Sequence, residues 1–169
     1  EIAALLLKAK AGQQPRSLVL ARLAQIPGVY VPAFFQPQYA AGKLQAILPL
    51  QEGVAAVRKR VLPRLAAAPY LHQPIVPVVS PVHDRLGVEI ARGCTRGCRF
   101  CQAGITYRPV RERSIEEILT LAEEGIPNSG FEELALLSLS TGDYSCLGGL
   151  MGALMNRFAA CHVSVSMPS

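Results

Sequence analysis

Apolar residues recur at helical spacing in two short stretches at the start of the chain, 1–11 and 17–25, the second marked by Leu18, Ala21, Leu23 and Ile26. Gly12 and Pro15 separate them, and Ser17 stands where an N-cap is expected. Pro27-Gly28 breaks the pattern. Two β-branched and aromatic runs follow, Val29–Phe35 and Leu44–Leu50, and the intervening Ala40-Ala41-Gly42-Lys43 predicts a hairpin. The apolar positions of Val54–Leu65 fit either period, although Pro63 argues against an uninterrupted helix. With Pro63, the prolines at Pro69, Pro74, Pro77 and Pro81 exclude regular helix and central strand, so this stretch reads as an extended connection.

After residue 84 the rhythm changes. Leu86–Ala91 reads as a short strand running into Arg92-Gly93-Cys94. Ser114 is placed to cap a helix over Ile115–Glu124, with Glu117 at the capping-box position and Pro127 just beyond the end. Leu134–Leu139 is nearly continuous in apolar residues, as a strand buried on both faces should be. Cys146–Ala160 returns to helical spacing and Val163–Met167 is again strand-like. The alternation predicts a parallel sheet with right-handed crossovers. The expected division is a small α+β region of helices and a β-hairpin with its proline-rich connection over 1–84, then an α/β unit over 85–169.

Composition narrows the classes. A chain of 169 residues that is 50% hydrophobic and 17% charged buries a sizeable core and is not disordered. The net charge of +5 suits an anionic partner such as RNA, but the basic residues are scattered and form no stripe interleaved with aromatics. No apolar run approaches the ~20 residues of a membrane span. The opening lacks the basic start and cleavage site of a signal peptide. It also lacks an initiator Met and begins in mid-helix, and the far end stops inside a strand-like run, so the chain reads as a fragment of a larger protein. Exposed sheet edges in such a fragment are expected to favour self-association. The five cysteines are odd in number, with three in one short loop. This is not a secreted disulfide framework; it points to a reducing cytoplasm and a metal.

That loop is Gly93-Cys94-Thr95-Arg96-Gly97-Cys98-Arg99-Phe100-Cys101. Thiolates at i, i+4 and i+7 can wrap around one metal centre. A zinc loop, a redox dithiol and incidental thiols are the alternatives. Structural zinc takes four ligands, and no fourth follows in the usual pairing. A cubane cluster fits better: three irons take Cys94, Cys98 and Cys101, and the fourth iron has no protein ligand. Gly93 and Gly97 allow close backbone approach, and Arg92, Arg96 and Arg99 offset the charge of thiolate-ligated iron and sulfide. The loop also follows a strand directly, where ligands of parallel α/β folds bind.

In these features the sequence resembles the radical S-adenosylmethionine superfamily, whose signature is Cys-x3-Cys-x2-Cys after the first strand of a TIM-type barrel. The resemblance implies a partial barrel of this kind, a [4Fe–4S] cluster on Cys94, Cys98 and Cys101, and S-adenosylmethionine as second cofactor. It also implies reductive cleavage to a 5′-deoxyadenosyl radical acting on a substrate that remains unknown. Phe100 matches the aromatic that lies against the adenine. Ser140-Thr141-Gly142-Asp143, after the second barrel strand, stands where the family carries its glycine-rich motif for the methionine amino group. Gly142 permits close approach and Asp143 is placed to accept from an ammonium. This stretch departs from the common Gly-Gly-Glu form; without the family it would read as an ordinary strand-to-helix turn. The nearer resemblance is to an uncharacterised bacterial group with a cobalamin-binding-like region ahead of the cluster domain. It is carried by 26–32, Val82-His83-Asp84-Arg85, Arg92–Gly104 and Tyr107–Ser114. The implied partners are a substrate, RNA or protein among the candidates, and a reductant such as flavodoxin or ferredoxin, with no membrane.

Other residues carry less. Tyr107–Arg113 reads equally as a contact for an anionic substrate or as a solvated loop. His83-Asp84 is read as structural, because adjacent residues rarely aim at one point. Cys146 and Cys161, in and after an apolar helical stretch, are read as small buried hydrophobes, and Met151, Leu154 and Met155 as core. No catalytic side chain is identified. The reading from a different class is a structural zinc or iron–sulfur module that binds RNA or a partner protein.

Overall fold

The structure, a computed structural model, describes residues 1–50 and 56–167. They fall into two compact units, Glu1–Val61 and Leu62–Ser169.

The first unit begins with α1 (Ile2–Ala11) and α2 (Arg16–Ala24). The N-cap of α2 is Pro15 in extended conformation, not Ser17, which lies inside the helix. The fixed φ of proline presets the chain for the first turn and leaves nothing for a serine cap to do. The hairpin is present, but its first strand starts later than the apolar run predicts. Pro32 opens a tight turn over Pro32–Phe34, and β1 is Phe35–Ala40, paired antiparallel with β2 (Lys43–Pro49). Ala41 and Gly42 both have positive φ, as a two-residue hairpin turn requires, and this fixes where pairing begins. Of the ambiguous 54–65 stretch, Val54 and Ala55 lie outside the described residues, and 56–62 has no regular structure.

The second unit is built on β3 (Leu86–Glu89), β6 (Glu133–Leu137) and β7 (Ser164–Ser166), all parallel, with β6 in the middle. Between β3 and β6 run β4 (Ala91–Arg92), α3 (Gln102–Thr106), β5 (Arg111–Glu112) and α4 (Ile115–Ser129); α5 (Leu147–Phe158) links β6 to β7. The expected α/β alternation with a parallel sheet is therefore present. The single strand expected over Leu86–Ala91 is two pieces. The second turns away to pair antiparallel with β5, Ala91 opposite Glu112 and Arg92 opposite Arg111.

The core lies between sheet and helices. Leu86, Val88 and Ile90, Ile118, Leu121 and Ala122 of α4, Leu134 and Leu136 of β6, and Leu150, Leu154 and Phe158 of α5 belong to one buried cluster. Burying a side chain of this size contributes about 1.5–3 kcal/mol, so the packed face holds the sheet while the strand ends remain available. The start of α4 has the predicted capping box: Ser114 Oγ accepts from Glu117 N at 3.2 Å, and Ser114 N donates to Glu117 Oε2 at 3.0 Å. The helix runs past Glu124 with Pro127 inside it and ends at Gly130 in the left-handed region. A proline in the last turn removes only one helical hydrogen bond, so it does not force the stop expected of it.

Three further expectations are corrected. The proline-rich connection, assigned by sequence to the N-terminal region, packs from Leu62 onward on the second unit. Leu65 is buried, Tyr70 Oη donates to the Gly87 carbonyl at 2.5 Å, and His72 O accepts from Asn128. Cys146 and Cys161 are exposed, not buried, because each sits at an end of the α5 region where the apolar face has run out. Leu154 is core, but Met155, one residue on, is half exposed.

Candidate metal centre

The cysteine loop leaves the sheet at β4 and returns through α3 to β5. Gly93 has φ +94°, and a Cβ there would lie 2.6 Å from the Pro109 carbonyl oxygen and 2.7 Å from that of Tyr107. The main chain of 107–109 therefore packs directly on the residue before the first thiol, and only glycine fits. Arg108 Nε donates to the Cys94 carbonyl at 3.1 Å. Arg111 donates to the carbonyls of Pro109, Tyr107 and Leu62, at 2.9, 2.8 and 3.2 Å. The basic stretch read as a substrate contact or a solvated loop thus braces the cysteine loop. Arg113 is buried: its Nε donates to Glu89 O at 3.0 Å, its guanidinium sits 5.7 Å from the Tyr70 ring centroid, and its carbonyl accepts from Tyr144 Oη. Burial pushes the Tyr70 hydroxyl above its ordinary pKa.

All three loop thiols are free. Cys94 Sγ accepts from Arg96 N, and Cys101 Sγ from Gly104 N, each at 3.4 Å. Cys101 is thereby the N-cap of α3. A Cβ on Gly104 would lie 3.8 Å from Cys101 Sγ and 3.9 Å from Cys94 Cβ, so these two cysteines flank one small backbone site, while Cys98 is exposed. Among the described residues no three His, Cys, Asp or Glu side chains converge as they would on a single ion. A cubane makes a different demand, one thiolate on each of three irons around a body larger than an ion. Three free thiols on one loop, two already receiving backbone amides, are a donor set that fits it.

The Ser140–Asp143 segment forms a tight turn directly after β6. Its members differ in what they offer. Thr141 is 1% exposed and its hydroxyl lies 3.3 Å from the Leu136 carbonyl, so its side chain serves the turn. A Cβ on Gly142 would meet no atom within 4 Å, so the space beside this backbone is open. Asp143 accepts from Ser140 Oγ at 2.7 Å and from Arg96 of the cysteine loop through both carboxylate oxygens, with Nε at 2.6 Å. The guanidinium, then the Ser140 hydroxyl, hold the Asp143 carboxyl down to about 2. Cys94, Thr95, Ser140 and Asp143 line one cavity of about 190 Å³. A larger one of about 460 Å³ opens at the carboxyl ends of β3 and β6, lined by Glu89, Arg92, Gly93, Tyr107, Leu137 and Leu139. Glu89 and Arg92 pair in it through two 2.7 Å contacts, and that hydrogen bonding holds the Glu89 carboxyl below its usual range. Phe100 is 91% exposed, on the outside of the loop.

The structure thus brings Cys94, Cys101, Ser140 and Asp143 into one neighbourhood at the strand ends. Residues 88–165 match the family model described as the Radical SAM superfamily. This segment is a radical SAM domain. Two curated proteins are similar to part of the chain. An uncharacterized protein of Methanocaldococcus jannaschii is 46% identical over 79 residues, which is 47% of this chain and 17% of that protein. The ribosomal protein uS12 methylthiotransferase of Pelotomaculum thermopropionicum is 34% identical over 77 residues, 44% of this chain and 17% of that protein. The chain therefore matches about one sixth of the length of each. No solved structure matches it significantly. No helix among the described residues is long and apolar enough to cross a membrane.

Sequence reasoning found the thiols and missed what holds them. The Arg96–Asp143 contact joins residues 47 apart, and the Arg113–Tyr70 contact crosses the proline-rich connection. No local spacing announces either.

Proposed function

We propose that this chain is the cluster-binding portion of a radical S-adenosylmethionine enzyme, with Cys94, Cys98 and Cys101 holding a [4Fe–4S] cluster. The observation that carries the reading is three free thiols on a glycine-bearing loop at the end of a parallel strand, braced by main-chain contacts at Gly93 and inside a radical SAM domain. When bound, the cluster supplies a single electron for cleaving the carbon–sulfur bond of S-adenosylmethionine. The chain's own part is placement and charge. Backbone amides of Arg96 and Gly104 stabilise two thiolates, Arg96 and Arg108 add positive charge, and the open face beside Gly142 leaves room for the cofactor.

In this reading the parallel sheet is the opening part of a TIM-type barrel, and the cavity with Glu89 and Arg92 faces the substrate. The electron donor is a small cytoplasmic redox protein such as flavodoxin or ferredoxin. Anaerobic reconstitution tests the proposal. The wild-type chain should take up about four irons and four sulfides, and Cys98→Ala should lose them. Binding of stoichiometric zinc with no uptake of iron would overturn it.

A further inference from the structure

The Asp143 carboxylate occupies the place where a direct contact to the cofactor's amino group is expected, yet in the structure it is already engaged. Both oxygens face the Arg96 guanidinium, and Ser140 Oγ takes a further bond. Arg96 is two residues from Cys94 and two from Cys98. Its backbone N–H donates to Cys94 Sγ while its side chain reaches Asp143 across the small cavity. One residue therefore touches the first thiol with its main chain and the turn after β6 with its side chain.

Two other contacts hold the start of the loop. Arg108 holds the Cys94 carbonyl and the Tyr107–Pro109 backbone holds Gly93, both from the β5 side. Gly97, between the first two thiols, has φ +70° and only the Arg108 Nη2 and Thr95 oxygen within 4 Å of where a Cβ would be, so nothing packs closely there. The turn end of the contact is firm: Thr141 is buried against β6, and the Asp143 N–H donates to Ser140 O. A fork-shaped guanidinium meeting a carboxylate with two bonds fixes direction as well as distance.

We infer that Arg96 and Asp143 are positioning residues, a clamp joining the cysteine loop to the turn after β6 that sets the placement of Cys94 and Cys98. Asp143 then acts on the centre through Arg96, and the ammonium of the cofactor is left to groups around the open Gly142 backbone. The inference rests on the cluster reading of the three thiols but is tested first without iron.

The experiment measures iodoacetamide alkylation of Cys94 and Cys98 in the metal-free full chain, site by site, by mass spectrometry. Arg96→Gln and Asp143→Asn should each accelerate alkylation about fivefold, the effect of releasing an exposed but bidentate ion pair. The double variant should be no faster than either single one. Through-space charge alone would move the two in opposite directions, because losing a cation disfavours the thiolate and losing an anion favours it. The reversed pair Arg96→Asp with Asp143→Arg should return the rate toward wild type, and Arg96→Lys should recover part of it, which general unfolding would not allow. In reconstituted protein the same variants should lose iron faster to a chelator. Unchanged alkylation in Arg96→Gln overturns the inference, as does a loss of S-adenosylmethionine response confined to Asp143→Asn with thiol reactivity intact. If the wild type takes up no iron, the cluster reading fails while the alkylation result still decides the clamp.

Discussion

Gly93→Ala perturbs the cysteine loop without touching a thiol, and its cost is worked from two contributions. The backbone has φ +94°, which costs an L-residue about 1–2 kcal/mol. The added methyl group would then lie 2.6 and 2.7 Å from two carbonyl oxygens and 3.1 Å from the Pro109 carbonyl carbon, all main-chain atoms that cannot rotate away. Overpacking of this kind adds about 1–3 kcal/mol, giving about 2–5 kcal/mol in all. For a chain of this size that is a fall in melting temperature of roughly 4–20 °C. Gly97→Ala is the internal control: its φ of +70° carries the same backbone cost, but the nearest atom is 3.7 Å away, so it should lose only about 1–2 kcal/mol. Thermal melts followed by far-UV circular dichroism on metal-free protein measure both. If Gly93→Ala melts within about 2 °C of the wild type, or no lower than Gly97→Ala, the 107–109 backbone does not pack on the loop as described.

Three further outcomes follow from the fold around the centre. Ser114→Ala removes the acceptor for Glu117 N and breaks the capping box, and should cost about 1 kcal/mol in the same melts. Tyr70→Phe strips the hydroxyl from the Gly87 carbonyl and should cost about 0.5–1.5 kcal/mol, whereas Tyr70→Ala should cost more because the Arg113 cation also loses its ring. Asp143 titrates near 2 in the folded chain against an ordinary 3.8. A depressed carboxylate stabilises the fold above its unfolded pKa and loses that contribution as pH falls toward the folded one. Melting temperatures of wild type and Asp143→Asn should therefore converge on acidification from about 4 to about 2, and a constant difference across that window would refute the pairing.

Features written locally were legible. Ser114 and Glu117 are three apart, so a capping box can be read from the residues alone, and the spacing of Cys94, Cys98 and Cys101 puts three thiols on one loop. What escaped was set by distant partners. The strand over Leu86–Ala91 divides because Ala91 and Arg92 find Glu112 and Arg111, a pairing with no sequence signature. Arg111 and Arg113 look like surface charge, but backbone carbonyls and the Tyr70 ring take them up inside the second unit. Pro127 reads as a terminator, yet the last turn of α4 tolerates it and Gly130 makes the stop. Asp143 matched a family motif by position, while its partner became visible only once the cysteine loop was folded beside it.

The cap on α3 ties the chemical state of one sulfur to a piece of secondary structure. Cys101 Sγ accepts from Gly104 N and so begins the helix that carries the chain back to β5. A thiolate, a metal-bound sulfur and a sulfinic acid present different charge and size to that amide. Each change in the chemical state of Cys101 should therefore leave a distinct trace in the amide exchange of residues 102–106, which makes this short helix an internal gauge of that sulfur's condition.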